Sequence, residues 1–257
     1  MLKQQFGPVP LPLEVLREYA MIKSATSESV TVIISLYNYE KFILEALQSV
    51  SEQTHQTLDL IVVDDASTDE GSTLAANWLD VNHKRFRRAC IIRHPRNLGL
   101  SAARNTAFEL AQTKYVFVLD ADNCLYPTAI AKLSRALESS AASVAYSQIE
   151  FFGRERGFGF ASEWDPDLFR VGNYVDAMAL VRRSAWARVG GYAPLDLGWE
   201  DYDLWLKFIE HGMHGIFLPE ILCRYRVHGQ SMLRTVTDLH DQRVRAQLTF
   251  LHPWLDL

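Results

Sequence analysis

The feature of this sequence that most constrains its fold is a repeated alternation of short apolar strands with amphipathic helices. The stretch 29–37 (SVTVIISLY) is β-branched and apolar at successive positions, as expected for a strand buried on both faces. The same alternation of strand and helix continues over 40–53, 58–65, 89–94, 100–112, 114–122 and 127–138. This spacing predicts βαβ units, and hence an α/β fold: a single Rossmann-like domain with a mostly parallel central sheet flanked by helices.

The composition of the chain excludes some classes of protein. Apolar residues make up 48% of the 257 residues, which supports a packed core and argues against wholesale disorder. The formal net charge of −5 argues against a general nucleic-acid binder, which would carry a basic surface. An anionic substrate would therefore need local positive charge, or a metal ion, at its site.

We predict three parts along the chain: an N-terminal extension over 1–28, the α/β domain over 29–235 and a C-terminal helical tail over 236–257. The extension contains a short amphipathic stretch. Beyond about residue 140 the alternation is less regular. There the patterns predict strands at 143–151, 214–218 and 221–226, a loop at 153–160, and helices over 201–211 and 237–250.

The spacing of the cysteines and the length of the apolar runs indicate the cellular compartment of the protein. Cys90, Cys124 and Cys223 are far apart, and they match neither a zinc-site spacing nor a disulfide framework, which fits a reducing cytoplasm. No apolar run reaches the roughly 18 residues of a membrane span. We therefore expect a soluble, cytoplasmic protein without a transmembrane segment, and a peripheral membrane contact stays open.

Two aspartates follow the fourth strand directly. Asp120 is the last residue of the apolar run VFVLD, and Asp122 follows two positions later. In a strand, the side chains of residues i and i+2 point to the same side. In open α/β sheets, ligands bind beyond the carboxyl ends of the strands. Two adjacent carboxylates repel each other unless a cation lies near, and Mg²⁺ or Mn²⁺ prefers oxygen ligands and bridges phosphate oxygens. The pair indicates a metal or phosphate site; the alternative is a surface turn with two solvated aspartates.

A second acidic pair, Glu200 and Asp201, opens an amphipathic helix. Carboxylates in a first helical turn interact favourably with the helix dipole, which keeps them ionised. An ionised carboxylate suits a general base that takes a proton from an attacking hydroxyl. On spacing alone, simple capping of the helix by an acidic residue is the commoner explanation.

Two further segments carry candidate ligand-binding residues. In NLGLSAARN (97–105), Gly99 permits a tight turn before a helix whose N-terminal N–H groups suit an anion, and Arg104 could reach a phosphate or a base edge. A single glycine disfavours a dinucleotide site. His228 follows a late strand and is a candidate metal ligand, although a lone histidine is more often structural.

Taken together, these segments resemble the family 2 glycosyltransferases, whose catalytic domain has the GT-A fold of the nucleotide-diphospho-sugar transferases. The resemblance covers roughly residues 29–233 and preserves the order and spacing of six modest motifs. The matching segments are VTVIISLYNYEKFILEALQSV, LDLIVVDDASTD, NLGLSAARN, VFVLDADN, GGY…GWEDYDLWLK and YRVHGQS.

The resemblance implies how the donor nucleotide is bound. Ser35 and Tyr37 would line the nucleoside pocket, and Asp65 would accept a hydrogen bond from the base, typically uracil. Arg104 would lie near the base or the phosphates, and Asp120 on the ribose side. Ser35 stands where Pro or Thr is more usual in the family, which puts that one side-chain contact in doubt.

The resemblance also implies a metal and a base. Asp122 would hold a divalent ion, Mn²⁺ or Mg²⁺, on the diphosphate, and His228 matches a family position near that ion. Asp201 would be the catalytic base, with Glu200 beside it contacting the acceptor or the base. With these roles, the resemblance implies an enzyme that transfers a sugar from a nucleoside-diphosphate sugar, a UDP-sugar, to a hydroxyl of a saccharide or other acceptor. The transfer would invert the anomeric configuration and serve polysaccharide or glycoconjugate synthesis.

Two rival functions stay open on the sequence. Phosphatases of the haloacid dehalogenase type also end a strand with two spaced aspartates, but usually on the first strand and with Thr or Val following; here Asn123 and Cys124 follow on the fourth. A non-catalytic nucleotide-sugar-binding module would be expected to lack the acidic pair Glu200-Asp201, which is present.

Overall fold

Strands and helices alternate through the computed structural model, which describes residues 12–20, 26, 28–195, 197–229 and 240–257. The strands are β1 (Glu14–Ala20), β2 (Val30–Leu36), β3 (Leu58–Asp64), β4 (Arg88–Arg93), β5 (Tyr115–Asp120), β6 (Cys124–Leu125), β7 (Val144–Gly153), β8 (Gly157–Phe158), β9 (Leu180–Arg182) and β10 (Gly215–Val227). The helices are α1 (Ile43–Ser51), α2 (Gly71–Asn82), α3 (Leu100–Leu110), α4 (Ala129–Glu138), α5 (Pro166–Phe169), α6 (Arg183–Arg188), α7 (Glu200–Glu210) and α8 (Asp241–Leu251).

The strands of the described residues form one mixed sheet. Its order is β1-β4-β3-β2-β5-β9-β7-β10-β6, with β8 added beside β7. The central strands β4, β3, β2 and β5 are parallel, and so are β7 and β10. The short β9 runs antiparallel to both β5 and β7 and joins the two parallel sets. The predicted α/β fold, with a mostly parallel central sheet flanked by helices, is confirmed.

The core lies in two layers, one on each face of the sheet. All seven residues of β3 are buried, because helices cover both faces. Along β2, Ile34 packs into the layer under α1, α2 and α4, whereas Ile33 packs into the layer under α3 and α7. Full burial of such a side chain contributes roughly 1.5–3 kcal/mol. A one-residue slip of register would exchange the two layers, so the apolar pattern and the helices together specify the register.

The structure corrects several boundaries. The predicted strands at 214–218 and 221–226 form one strand, β10, since its pairing with β7 continues across two irregularities between Leu218 and Cys223. The predicted loop at 153–160 contains the short strand β8. The elements β6, α5, β9 and α6 were not predicted, because each has six residues or fewer and shows no clear period.

The N-terminal extension adds β1 to the edge of the sheet, antiparallel to β4. Most of its residues are exposed on both faces. Its side chains are held by hydrogen bonds of Arg17 and Tyr19 to Asp80, at 2.8 and 2.7 Å. The amphipathic stretch of the extension is therefore an edge strand.

The C-terminal tail is anchored on α7. The predicted helix over 237–250 corresponds to α8, and residues 237–239 lie outside the described residues. Beyond α8, the buried His252 ring bonds Asp203 at 3.1 Å and Glu210 at 2.7 Å, one nitrogen to each carboxylate. Within the described ranges, no helix is long and apolar enough to cross a membrane.

Candidate active site

The polar ends of the central strands meet at one edge of the sheet. The parallel register places Ser35 of β2 beside Asp120 of β5. Ser35 is half-buried there, and Tyr37, just beyond the strand, is 42% exposed. Thus Ser35, one of the two residues expected to line a nucleoside pocket, lies beside the first aspartate of the pair, and Tyr37 follows directly after the same strand.

Three loops at this edge carry strained backbone. Asn38, Ala66 and Trp199 have φ values of 59°, 62° and 60°, in the left-handed region that residues with a Cβ seldom adopt. Each follows or precedes a candidate site residue: Tyr37, Asp65 and Glu200, respectively. Such strain costs about 1–3 kcal/mol per residue and tends to cluster at functional sites.

Asp122 and His228 lie in direct contact. The imidazole Nε2 and the carboxylate Oδ2 are 2.8 Å apart, and both side chains are about one-tenth exposed. Burial raises the pKa of Asp122, and the hydrogen bond to His228 opposes that rise. The ring of His228 also packs against Tyr39 and Phe42, at centroid distances of 5.9 and 4.8 Å. The structure thus brings together the two predicted metal ligands.

The Asp122–His228 pair fits a divalent cation that accepts both oxygen and nitrogen ligands. Its donors are a carboxylate oxygen and an imidazole nitrogen. No group of three or more His, Cys, Asp or Glu side chains suited to a metal occurs in the part of the chain that the structure describes. Mg²⁺ and its analogues commonly bind through one or two protein ligands and complete their shell with water and substrate phosphates. The pair therefore suits an ion held jointly with a diphosphate.

Arg104 links the two acidic motifs. Its guanidinium bonds Asp120 Oδ1 at 2.7 Å through one terminal nitrogen and contacts Glu200 Oε1 through the other. The side chain is 1% exposed, and the Tyr192 ring lies 5.6 Å from its guanidinium carbon. Arg104 thus lies beneath the site, where it orients Asp120 and Glu200.

Asp201 opens α7 beside this bridge. Its Oδ2 accepts a hydrogen bond from Asn173 Nδ2 at 3.0 Å, and its Oδ1 accepts the N–H of Tyr202 at 2.7 Å. Burial, followed by the charge of Glu200, raises the pKa of Asp201 to about 8, so the expectation that the helix dipole keeps this carboxylate ionised is wrong for Asp201. The residue before the pair, Trp199, caps the helix without a side-chain bond, and Glu200 binds Arg104 instead. Capping therefore does not account for Glu200.

Asp65 is buried and holds the loop that precedes α3. Its Oδ1 accepts hydrogen bonds from His94 Nδ1 at 2.7 Å and from the Leu98 N–H at 2.9 Å, while its Oδ2 accepts the Gly99 N–H at 2.8 Å. Gly99 has φ 91°, which favours glycine at this turn. The predicted nucleotide residue thus also shapes the turn into the helix that carries Arg104.

Sequence reasoning missed Asn173 and Asp176. They lie in the irregular stretch between α5 and β9, where neither a helical nor a strand period is present. Tyr39 was also missed; burial and the charges of Asp122 and Asp120 raise its pKa above the usual range. Its position two residues after Tyr37, within the segment VTVIISLYNYEKF, was the available signal for Tyr39. No local signal marked the other two.

The fold and the paired aspartates at its sheet edge define a GT-A domain. The sequence profile described as Glycosyl transferase family 2 matches residues 31–195, well over half of the chain, and the chain therefore belongs to this family. A similar relative is the UDP-Glc:alpha-D-GlcNAc-diphosphoundecaprenol beta-1,3-glucosyltransferase WfaP of Escherichia coli. It is 25% identical over 212 residues, which span 80% of this chain and 80% of WfaP.

Solved structures share the fold at low sequence identity. Staphylococcus aureus TarS 1–349 in complex with UDP-GlcNAc matches with a TM-score of 0.70 and 17% identity, over 89% of this chain and 68% of that chain. The mannosyltransferase PcManGT of Pyrobaculum calidifontis, in complex with GDP-Man and Mn²⁺, matches with a TM-score of 0.61 and 23% identity, over 84% and 60% of the two chains. At these identities the likeness shows the fold alone.

Proposed function

We propose that this protein transfers a sugar from a UDP-sugar to a hydroxyl of a saccharide acceptor, with a divalent metal and with inversion at the anomeric carbon. The observation that carries the proposal is the Arg104 bridge, which holds the aspartate pair and the Glu200-Asp201 pair beside one another. This bridge supports a nucleotide-binding part and a base next to each other, as a single displacement requires. The UDP-Glc donor named for WfaP and the UDP-GlcNAc bound by TarS support UDP as the donor nucleotide.

The donor would be held along the ends of β2, β3 and β5. Ser35 and Tyr37 would line the nucleoside pocket, and Asp120 would bind the ribose. Asp65 already accepts three hydrogen bonds, and a carboxylate has about four acceptor positions, so one remains for the base. Arg104 would act indirectly, because it is buried and orients Asp120.

Asp122 and His228 would hold the metal, Mn²⁺ or Mg²⁺, at the diphosphate. That ion would supply positive charge to the departing diphosphate. The complex of PcManGT with GDP-Man and Mn²⁺ supports a divalent ion in this fold. The protein's own part is geometric: the mutual contact at 2.8 Å and the packing of Tyr39 and Phe42 fix the orientation of the two ligands.

Asp201 would take the proton of the acceptor hydroxyl as that oxygen attacks. A general base works best when its pKa lies near the working pH. The raised pKa of Asp201, about 8, meets this condition. Asn173 donates to one oxygen of Asp201 and thereby orients the carboxylate. With the base and the leaving group on opposite sides of the reacting carbon, one displacement would invert its configuration.

The function is tested by incubating the purified protein with Mn²⁺ and a panel of nucleotide sugars, while release of the nucleotide and thermal stabilisation are followed. A bound donor raises the melting temperature by mass action. The proposal expects stabilisation and slow UDP release with at least one UDP-sugar, and loss of release in Asp201→Asn. Stabilisation without release, with or without saccharide acceptors, would indicate a binding module. Response to GDP-sugars alone would contradict the donor nucleotide.

A further inference from the structure

The stretch from Asn173 to Ala179 connects the two halves of the candidate site. At one end, Asn173 Nδ2 donates to Asp201 Oδ2 at 3.0 Å. At the other, the Ala179 carbonyl accepts the N–H of Val118 at 3.2 Å, near the end of β5. This stretch therefore runs from the residue that bonds Asp201 to the strand that ends in Asp120.

Asp176 occupies the middle of this stretch. Its Oδ1 accepts the N–H of Met178 at 2.8 Å, which fixes the carboxylate, and its Oδ2 has no hydrogen-bond partner among the described residues. The side chain is partly exposed. Its charge interacts with Asp120 and Asp122 on one side and with Asp201 on the other. Asp176 thus lies within electrostatic range of Asp120, Asp122 and Asp201 and keeps one acceptor oxygen without a partner in the described part of the chain.

The transferred sugar is the group that belongs between Asp122 and Asp201. If Asp122 lies at the diphosphate and Asp201 at the acceptor hydroxyl, the anomeric carbon lies between them. We propose that Asp176 binds the transferred sugar by accepting hydrogen bonds from its ring hydroxyl groups, an inference that rests on the proposed function. Charge-assisted hydrogen bonds of this kind are stronger than neutral ones.

The same carboxylate sets a charge preference for the donor. A uronic acid would bring a further negative charge beside Asp176 and Asp120. The buried guanidinium of Arg104 acts on Asp176, but it is already bound to Asp120 and Glu200, so one positive charge is shared among three carboxylates. Like charges at short range in a partly desolvated site repel strongly. Asp176 therefore selects donors whose transferred sugar is uncharged and rejects uronic acid donors.

Isothermal titration calorimetry with Mn²⁺ tests this. The ligands are UDP, UDP-glucose, UDP-N-acetylglucosamine and UDP-glucuronic acid, and the proteins are wild type, Asp176→Ala and Asp176→Asn. A matched control is Asp167→Asn, an exposed carboxylate on α5. For Asp176→Ala we expect the ratio of Kd for the neutral UDP-sugar to Kd for UDP to rise about tenfold, as for loss of a hydrogen bond to a charged group. For Asp176→Asn, affinity for UDP-glucuronic acid should rise several-fold.

The outcomes separate the inference from the proposed function. If the ratio of Kd for the neutral UDP-sugar to Kd for UDP is unchanged in both Asp176 variants, the inference is overturned. An equal loss of affinity for UDP and for the UDP-sugar also overturns it, because such a loss shows a general structural effect. An unchanged affinity of Asp176→Asn for UDP-glucuronic acid overturns the charge preference. Wild-type protein that binds neither UDP nor any UDP-sugar overturns the proposed function itself. Asp167→Asn should match wild type throughout.

Discussion

Replacing Arg104 by methionine tests the bridge on which the site depends. The substitution keeps an apolar stem of similar length but leaves Glu200 and Asp120 without their shared cation. Breaking a buried ion pair by removing one partner costs about 3–5 kcal/mol. The side chain of Glu200 is 6% exposed and that of Asp120 27%, so water reaches one of the two carboxylates and the lower end of the range applies.

We therefore expect Arg104→Met to lose about 3 kcal/mol of unfolding free energy. For a chain of this size that corresponds to a fall in melting temperature of roughly 6–12 °C. Urea denaturation followed by circular dichroism measures the first quantity and calorimetry the second. Arg104→Lys keeps the charge but cannot bond both carboxylates through one planar group. Its unfolding free energy should lie between those of Arg104→Met and wild type.

Arg170→Met is the matched control, because it removes an arginine–aspartate pair in which both side chains are at least 40% exposed. The unfolding free energy of Arg170→Met should stay close to that of wild type. Equal stability of Arg104→Met and Arg170→Met would refute the bridge. The Arg104 charge also lowers the pKa of Asp201, so any activity left in Arg104→Met should require a higher pH than wild type.

Three further predictions concern the base, the metal site and the tail. Because burial and Glu200 raise the pKa of Asp201 to about 8, kcat/KM should increase as pH rises from 6, reach half its maximum near pH 8 and level off about one pH unit higher; a decrease between pH 6 and 8 would contradict a carboxylate base. Asp122→Ala should weaken Mn²⁺-dependent binding of UDP at least about tenfold in calorimetry, and unchanged affinity would remove Asp122 from the metal site. Burial opposes protonation of His252, but bonds to Asp203 and Glu210 raise its pKa overall; its stabilising charge is thus fully present below about pH 6.5 and is lost as pH rises through the raised value. The melting-temperature difference between wild type and His252→Gln should accordingly be larger at pH 6 than at pH 9.

The central strands and the positions of the acidic motifs could be predicted because their signals are local. A strand buried on both faces has a continuous apolar run, as in β3, and parallel strands place their carboxyl ends at one edge. That geometry already brings Ser35 and Asp120 together. The order and spacing of the motifs then identified the family from sequence.

The contacts that organise the site were not predictable in this way. Arg104 and Glu200 are 96 positions apart, and no period in either segment reveals that they touch. Asn173 and Asp176 lie in irregular chain, where residue pattern carries no positional information. The exposure of β1 on both faces removed the alternation that would have marked it as a strand. These features depend on tertiary packing between segments that are distant along the chain.

The most direct test of the central claim is transfer by Asp201→Asn, measured beside its affinity for UDP in Mn²⁺. Since Asp201 bonds Asn173 and the Tyr202 N–H, and neither Asp120 nor Asp122, we predict UDP affinity within about twofold of wild type and transfer reduced about a hundredfold or more. Asp167→Asn should transfer at the wild-type rate. Transfer by Asp201→Asn at the wild-type rate, with UDP bound normally, would contradict the assignment of Asp201 as the base.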